Sequence, residues 1–186
     1  HLAANASIPF SFNKPLEAHS NNVLSTIRVL EHASLTGASV IFASSAAVYG
    51  ATWMPTKETN PPSPMSPYGI QKWECEEYLK YYWTRGVRGV ALRFFNVFGE
   101  RQEIANGEDS SLALAKFLSQ EKNDEPFTIV DSGDQRRDFV YVKDVVDALI
   151  RAAEFLKTAK QFEVFNIGSG FNYSINEVVD IINPKR

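Results

Sequence analysis

Tyr68 and Lys72 have the residue types and the spacing of an acid–base pair. They lie four residues apart, so on a helix both side chains leave the same face and the ammonium can sit beneath the phenol. A phenol with an ordinary pKa of about 10 is a weak base at neutral pH, and a fixed positive charge nearby lowers that pKa. Ser45 adds a hydroxyl that can donate and accept. The pattern predicts proton transfer by Tyr68, although the same spacing also occurs on solvated helix faces.

The segments around this pair are expected to place it at the end of a strand. Residues 38–43 form a short apolar run with β-branched side chains, which predicts a buried strand ending at Ser44 and Ser45. A proline-rich segment then leads to the helix that carries Tyr68 and Lys72. Open α/β sheets bind ligands outside the carboxyl ends of their strands. The order strand, irregular loop, helix therefore favours an active site at this point of the chain.

The remaining chain alternates predicted helices and strands. An amphipathic helix is expected from Leu16 to Gly37, and further strands are expected within 87–99, 127–130 and 162–167. Ser174 and Glu177 have the spacing of a capping box that opens a last helix. Alternating elements of this kind indicate an α/β fold with a parallel sheet.

Composition restricts the class of protein. The 186 residues carry a net charge of −3 and are 44% hydrophobic, which is globular composition without the basic stripe that a nucleic-acid partner requires. Three scattered histidines offer no metal-ligand spacing, so we expect no metal. A single cysteine, Cys75, cannot form an internal disulfide, which favours the reducing cytoplasm. No apolar run is long enough to cross a bilayer, so no membrane partner is expected.

Several polar residues stand where ligands gather in such a fold. Asn21 and Asn22 interrupt the first long helix, either as part of a solvated face or as amides at the site. Asn96 follows an apolar strand. Arg136 and Arg137 are either a solvated pair or the bidentate ligands of a diphosphate.

Seven segments together resemble the extended short-chain dehydrogenase/reductase family, and within it the NAD-dependent nucleotide-sugar epimerases and dehydratases. They stand in family order over nearly the whole chain. The segments are HLAA at 1–4, PLEAHSNN at 15–22, SSAAVYG at 44–50, SPYGIQK at 66–72, LRFFNVFG at 92–99, RRDFVYVKDV at 136–145 and FNIGSG at 165–170. The resemblance implies a Rossmann-like doubly wound α/β sheet and NAD as the cofactor.

The resemblance also implies a role for each matching residue. Tyr68 would be the catalytic acid/base, Lys72 would lower its pKa and bind the nicotinamide ribose, and Ser45 would hydrogen-bond the reacting sugar oxygen. Asn96 and Arg137 would bind the diphosphate of a sugar nucleotide. The residues implied to line the cofactor are Ala3, Ala4, Asn21 or Asn22, Tyr68, Lys72 and Phe95.

Two departures from the family pattern bear on completeness. The glycine-rich phosphate loop that family members place before HLAA is not in this chain, and neither is the substrate-closing segment that follows the last helix. We therefore expect a fold that lacks its N-terminal strands and ends in part of a smaller C-terminal substrate-binding region. Residues 1–100 would be the later part of the dinucleotide-binding domain, and 101–186 a mixture of substrate-binding region and remaining Rossmann elements. We therefore expect these residues either to be stabilised by another chain that covers the exposed apolar surface or to be a portion of a larger folded polypeptide. Alone, they are expected to bind NAD weakly and to be inactive.

The residues after Ser45 separate the activities within the family. Dehydratases resemble one another in placing Asp and Glu directly after the active-site hydroxyl residue, and here those positions are Ala46 and Ala47. The resemblance thus favours a UDP-hexose 4-epimerase acting as a homodimer, through transient hydride transfer and a 4-keto sugar. The alternatives are another sugar-nucleotide enzyme of the family (dehydratase, decarboxylase, reductase or 6-epimerase) or a binding protein that has lost catalysis.

Overall fold

A computed structural model describes residues 1–51, 55–100, 102 and 113–184. They form two compact units, each made of two chain segments. The first unit comprises His1–Phe94 and Val146–Ile167, and the second comprises Phe95–Val145 and Gly168–Arg186. The division expected from the sequence placed everything after residue 100 together, as a mixture. In the structure, the Rossmann elements of that mixture complete the first unit.

The described residues form helices and short strands. In chain order these are α1 Ile8–Asn13, α2 Pro15–His19, a π-helical turn Ser20–Leu24, α3 Ser25–Thr36, β1 Val40–Ser45, a 3-10 turn Ala46–Val48, α4 Pro67–Trp83, β2 Gly89–Phe94, β3 Asn96–Phe98, α5 Ala113–Lys122, β4 Arg136–Arg137, β5 Phe139–Tyr141, α6 Val142–Thr158, β6 Glu163–Ile167, β7 Tyr173–Ser174 and α7 Ile175–Ile182.

The first unit is built on a parallel sheet in the order β1-β2-β6. Ala43 of β1 lies opposite Leu92 of β2, and Leu92 lies opposite Phe165 of β6. On the free side of β1, His1 N donates to the Ile41 carbonyl at 2.8 Å, and Ala43 N donates to the His1 carbonyl at 3.2 Å. The first residue therefore adds one parallel bridge to the sheet.

Alternation along β2 fills two hydrophobic clusters, one on each face of the sheet. Ala91 packs with Phe42, Leu30 and Leu79, which joins the sheet to α3 and α4. Its neighbours on β2, Val90 and Leu92, belong to a second cluster that includes Ala152 and Leu156 of α6. Both faces of the sheet are thus covered by helices, as an α/β fold requires. The α/β prediction is confirmed.

The second unit has two small sheets and a helical core. β3 pairs parallel with β5, and β4 pairs antiparallel with β7. Phe117 of α5 packs against Ile175, Val178 and Val179 of α7. The predicted capping box is present, because Ser174 Oγ accepts from Glu177 N at 3.1 Å and Glu177 Oε2 accepts from Ser174 N at 2.8 Å.

Two strand predictions are wrong in detail. The strand expected within 87–99 is interrupted at Phe95, and its halves β2 and β3 pair in different sheets. Residues 127–130 form no strand. Thr128 N there donates to the Gln120 side chain at 3.2 Å, and Ile129 packs on the α5–α7 core. The Gln120 side chain thus accepts a backbone hydrogen bond that a neighbouring strand would otherwise accept.

Candidate active site

Two serine hydroxyls position the first turn of α4. Ser66 is the N-cap and its Oγ accepts from Gly69 N at 3.0 Å, while Pro67 occupies the first helical position. Ser11 Oγ accepts from Tyr68 N at 3.1 Å. Free N–H groups at a helix start must find acceptors. These hydroxyls therefore satisfy two of them and hold the backbone of Tyr68.

Ser45 and Tyr68 meet at the carboxyl end of β1. Ser45 is the last residue of β1, its Oγ accepts from Ala47 N at 3.1 Å, and its hydroxyl is near enough to the Tyr68 phenol to lower the pKa of that group. Tyr68 is 8% exposed. The structure therefore brings together two hydroxyls that the sequence placed 23 positions apart.

Lys72 lies behind this pair, in an almost fully buried position with 4% exposure. Its Nζ donates to the Ala43 carbonyl at 2.7 Å and lies 4.8 Å from the Phe42 ring centre and 5.7 Å from that of Tyr68. Burial lowers the pKa of Lys72 to about 8, while the nearby Cys75 and Glu76 oppose the change. The ammonium is consequently close to the point at which it loses its proton.

The pKa of Tyr68 does not follow the expectation from the sequence. Burial raises it above the ordinary value, and the hydrogen bond from Ser45 offsets part of that rise. Lys72 does not contribute to the shift of the Tyr68 pKa in this structure. Its Nζ donates to the Ala43 carbonyl and lies 5.7 Å from the centre of the Tyr68 ring. Ser45, not Lys72, is the group that favours the Tyr68 phenolate in this structure.

The start of α4 approaches the turn after Ser45 so closely that only glycine fits at residue 69. A Cβ added at Gly69 would lie 2.6 Å from the Ala47 carbonyl oxygen and 3.0 Å from Pro64 Cβ. Real Cβ atoms essentially never come this close to backbone. The contact keeps Tyr68 next to the turn that follows Ser45.

Gly69→Ala is expected to lower the free energy of unfolding by roughly 1–3 kcal/mol, as an overpacked core does. Chemical denaturation of the full-length protein measures this value. Gly89→Ala is the matched control, because a Cβ there would meet Leu79 Cδ2 at 3.5 Å, an ordinary contact. Equal stabilities of the two variants would contradict the close approach.

The structure separates the two asparagines that the sequence left open. Asn22 is buried within the π-helical turn, whereas Asn21 is exposed. The Asn22 Nδ2 donates to the Asn5 carbonyl at 3.0 Å and to Gln71 Oε1 at 2.8 Å, and Oδ1 accepts from Asn5 N at 2.8 Å. Gln71 directly precedes Lys72. Asn22 therefore ties the loop after His1 to α4, and its amide already has protein partners.

Ala3 and Ala4 lie in that loop, next to the anchored Asn5. Both are exposed. Small side chains on a loop held by its backbone leave room for a ligand to approach the main chain. The loop is accordingly fixed at Asn5 and open at the two residues before it.

Asn96 and Asp138 organise the second unit. The Asp138 carbonyl accepts from Asn96 N at 3.1 Å and from Asn96 Nδ2 at 2.8 Å. The buried Asp138 carboxylate accepts from Ser169 N and Oγ, each at 2.8 Å, and from Gly170 N at 2.9 Å. One aspartate thus joins β3, β5 and the glycine-containing loop. Phe95, which precedes Asn96, is half-buried beside Gly168.

The adjacent arginines have different surroundings. Arg136 Nη2 donates to Glu177 Oε2 at 2.8 Å and to the Asn172 carbonyl at 2.9 Å, which fixes it in the second unit. Arg137 is exposed, and its Nη1 donates to the Arg136 carbonyl at 2.9 Å. No carboxylate pairs with Arg137 among the residues described. Its guanidinium is therefore the one available for an anionic ligand.

Comparison with known proteins identifies the family. A model of the NAD dependent epimerase/dehydratase family matches residues 1–168. This chain belongs to that family. A putative UDP-glucose 4-epimerase of Methanocaldococcus jannaschii is 40% identical over an alignment of 188 positions that covers 98% of this chain and 58% of the relative. The family resemblance inferred from the seven segments is thereby confirmed.

Solved structures of the family show the same fold. A UDP-N-acetylglucosamine 4-epimerase from Methanobrevibacter ruminantium, in complex with UDP-N-acetylmuramic acid, has a TM-score of 0.90 and 38% identity over 99% of this chain and 58% of that one. A UDP-glucose 4-epimerase from Thermus thermophilus, in complex with NAD, has a TM-score of 0.84 and 31% identity over 98% and 59%. The Rossmann-like prediction is confirmed, and the chain spans about 58% of the length of the relatives it matches.

Other classes of site find no support in the part of the chain that the structure describes. No group of three or more His, Cys, Asp or Glu side chains there could hold a metal ion. In the same residues no helix is long and apolar enough to cross a membrane. The polar residues of interest in this family member are those that surround Tyr68 and Asn96.

Sequence reasoning missed three buried polar residues, Glu76, Arg93 and Asp138. Glu76 and Arg93 form an ion pair with a shortest separation of 2.6 Å, and both are buried. Glu76 follows Lys72 by one helical turn and Arg93 stands in an apolar strand, which is an unusual place for a charge. A charged residue inside an otherwise apolar strand was the available signal. It did not reveal which partner neutralises it.

Proposed function

We propose that this chain carries the catalytic residues of an NAD-dependent UDP-sugar 4-epimerase acting on a UDP-hexose (glucose/galactose or the N-acetyl forms). The observation that supports it most is that Ser45, Tyr68 and Lys72 converge at the end of β1, where the Lys72 Nζ donates to the Ala43 carbonyl and lies 5.7 Å from the centre of the Tyr68 ring. Two hydroxyls and a cation at the end of a parallel strand can remove a proton from a sugar hydroxyl and return it. The family and the names of its relatives point the same way.

The residues of the first unit fit NAD. An ammonium has three N–H donors, and the Ala43 carbonyl is the one acceptor that Lys72 has among the residues described here. The remaining donors suit the hydroxyls of the nicotinamide ribose. Ala3 and Ala4 leave the main chain of their loop accessible, and the cofactor contact implied for Phe95 by the family resemblance stays a prediction. When bound, NAD would accept a hydride from the sugar and give it back.

Each side chain then has a defined task in the reaction. Tyr68, as phenolate, takes the proton of the sugar C4 hydroxyl while hydride leaves C4, and a 4-keto sugar results. The single O–H of Ser45 donates to the reacting sugar oxygen, once that oxygen replaces the Tyr68 phenol as its partner. Lys72 would hold the nicotinamide ribose through its remaining N–H donors. After the keto sugar turns, Tyr68 returns the proton as hydride arrives on the other face.

We prefer 4-epimerisation to dehydration as the proposed reaction because of the residues in the turn after Ser45. Ala46 and Ala47 occupy the 3-10 turn at this position and carry no acid or base. Loss of water needs an extra acid and base. A panel of UDP-, dTDP- and GDP-sugars incubated with the full-length protein and NAD tests the proposal. Equilibration of a C4 epimer pair supports it, and release of a 4-keto-6-deoxy sugar or a decarboxylated product assigns another activity of the family.

A protein that only binds sugar nucleotides is the second candidate. Binding without turnover, measured by calorimetry alongside the same panel, would favour it and reject the enzyme. The intact arrangement of Ser45, Tyr68 and Lys72 supports the enzyme. A remnant without catalysis has no need to keep Lys72 charged at 4% exposure, because burial of an ammonium is costly.

For the substrate diphosphate we propose Asn96 and Arg137 as ligands. Asn96 is exposed, and its Nδ2 donates to the Asp138 carbonyl. This hydrogen bond fixes the orientation of the Asn96 amide and therefore of its Oδ1. Arg137 is exposed, and its Nη1 donates to the Arg136 carbonyl. Guanidinium groups bind phosphates through two parallel N–H bonds.

Arg137→Lys is expected to weaken sugar-nucleotide binding by about 1.5–3 kcal/mol, the value of a hydrogen bond to a charged group. The charge remains and the second N–H bond is lost. Titration calorimetry with UDP-glucose measures the change. Arg136→Lys is the matched control, since Arg136 is already engaged by Glu177 and Asn172. Unchanged affinity of Arg137→Lys would make Arg137 a solvated surface residue.

We also propose a homodimer that pairs through α3 and α4. Five large apolar side chains on or beside these helices are exposed, which is unusual for adjacent surface helices. They are Leu24, Leu35, Ile70, Trp73 and Tyr81, with Leu35 at 86%. Sedimentation velocity of the full-length protein tests the proposal, and Leu35→Glu together with Tyr81→Glu should convert a dimer to a monomer. A wild-type monomer would refute it.

For the compartment we propose the cytoplasm. Cys75 is a buried thiol whose Sγ donates to Thr26 Oγ1 at 3.4 Å, and burial raises its pKa to about 11, which keeps it protonated and unreactive. Fractionation of cells that express the tagged full-length protein tests this, and recovery from an oxidising compartment would contradict it.

A further inference from the structure

Two buried charges lie behind the candidate catalytic helix. Glu76 is on α4, one turn after Lys72, and Arg93 is on β2, and their side chains are 3% and 5% exposed. Arg93 Nε donates to Glu76 Oε1 at 2.9 Å, and Arg93 Nη2 donates to Glu76 Oε2 at 2.6 Å. Two parallel charge-assisted bonds restrict both the distance and the orientation of the groups. The pair therefore sets how α4 lies on β2.

Ser44 connects this pair to the strand that carries Ser45. Its Oγ donates to Glu76 Oε1, the same oxygen that accepts from Arg93 Nε. Ser44 directly precedes Ser45 at the end of β1. Glu76 thus links the strand of one candidate catalytic hydroxyl with the helix of the other, Tyr68.

On its other side, the pair reaches the turn after Ser45 through Tyr49. The Arg93 guanidinium carbon lies 4.5 Å from the centre of the Tyr49 ring, and Tyr49 Oη donates to Asn166 Oδ1 on β6 at 2.7 Å. Asn166 N in turn donates to Glu58 Oε1 at 2.9 Å. The polar chain therefore joins the carboxyl ends of β1, β2 and β6 to α4.

Stability alone does not explain a charge pair at this place. Replacing a buried ion pair by apolar residues of similar volume is often neutral or stabilising, because both charges lose their hydration on burial. Arg93 Nη1 is moreover buried without a hydrogen-bond partner in the described part of the chain, which costs further free energy. We therefore look for the role of the Glu76–Arg93 pair in the segments that it holds in place, and not in the stability of the fold.

We propose that Glu76 and Arg93 are positioning residues that keep the Ser45 and Tyr68 hydroxyls at hydrogen-bonding distance. This rests on the proposed function in so far as turnover is its readout. Neither residue touches the substrate in this proposal. They act through Ser44, through the turn at Tyr49 and through the backbone of α4.

The test is the double variant Glu76→Leu/Arg93→Met, compared with each single variant in the full-length protein. Each single change leaves one buried charge unpaired and is expected to lower the midpoint of thermal unfolding strongly, and the double change restores it. In the folded double variant, kcat is expected to fall roughly 10- to 100-fold, as a small misplacement of catalytic groups does. The KM for the sugar nucleotide should change little, since Arg137 does not depend on the pair.

A second readout does not need activity. Absorbance titration of the Tyr68 phenol, taken as the difference from Tyr68→Phe, reports its hydrogen bond to Ser45, which lowers its pKa. Of the charged or titratable groups near Tyr68, Lys72 and Cys75 on α4 stay in place, and Ser45 on β1 carries no charge. Loss of the Ser45 bond in the double variant is therefore expected to raise the pKa of Tyr68.

The outcomes separate the two hypotheses. A folded double variant with wild-type kcat and an unchanged Tyr68 titration would overturn the positioning role. Absence of turnover in the wild type would refute the proposed function, and the titration would still decide the positioning role. The control is Glu154→Gln/Lys157→Gln, which removes an exposed pair 2.7 Å apart on α6 and should change neither readout.

Discussion

Tyr68→Phe in the full-length protein is expected to lower kcat by roughly a hundredfold to ten-thousandfold, the range of general acid–base catalysis. Phenylalanine keeps the ring packing and removes the hydroxyl that meets Ser45. The substrate contacts proposed for Asn96 and Arg137 are untouched. The KM should therefore change far less than kcat, and steady-state kinetics separates the two parameters.

The control for this variant is Tyr78→Phe on the same helix. Tyr78 packs at the edge of the α3–α4 cluster and loses the same hydroxyl group without any contact to Ser45. It should retain the kcat of the wild type. Turnover by Tyr68→Phe at the level of Tyr78→Phe would remove Tyr68 from the mechanism.

Lys72→Met is expected to lower kcat by about a hundredfold or more. At the same time it is expected to raise the free energy of unfolding at neutral pH. Lys72 has to keep a proton in a site where burial lowers its pKa to about 8. Methionine has a similar length and no charge, so the cost of burying the ammonium disappears. Activity assays and denaturation at pH 7 measure the two opposite effects.

The lowered pKa of Lys72 determines how the free energy of unfolding changes with pH. The folded pKa of Lys72, about 8, lies below the ordinary value of 10.5. Between these values the unfolded wild type holds a proton that the folded protein has lost, so its free energy of unfolding rises with pH. The rise approaches about 1.4 kcal/mol per pH unit. Lys72→Met lacks it, and the advantage of the variant should shrink as the pH rises above 8.

The best window for this measurement is pH 8 to 9. Burial raises the pKa of Cys75 from 9.0 to about 11, which makes stability fall with pH above 9 and opposes the effect of Lys72. Below pH 9 the Cys75 thiol is mostly protonated in both the folded and the unfolded protein, so its contribution to the slope is small in this window. A difference that stays constant from pH 7 to 9 would mean that Lys72 keeps its proton in the folded protein throughout this range, and that burial does not lower its pKa as far as about 8.

Local sequence patterns determined the ends and faces of the helices. Ser66 and Pro67 begin α4, Gly37 ends α3 in the left-handed conformation with φ 72°, and Ser174 with Glu177 opens α7. Each of these signals involves residues within one turn of each other, so the chain needs no distant partner to satisfy them. The spacing of Tyr68 and Lys72 on one face of α4 is of the same local kind.

Which polar groups meet, and how they titrate, depends on packing between segments that are far apart in the chain. Asn21 and Asn22 are indistinguishable by spacing, yet only Asn22 is buried against Asn5 and Gln71. The pKa values of Tyr68 and Lys72 depend on burial by distant segments and on Ser45 and Ala43.

Tertiary packing also determines that β2 and β3 pair in different sheets and that Glu76 pairs with Arg93. An apolar run predicts a strand, and it carries no information about the sheet in which each half finds its neighbour. A buried charge likewise predicts a partner without naming it. Both choices depend on atoms far apart in the chain, whose separation is set when the helices and the sheet pack together.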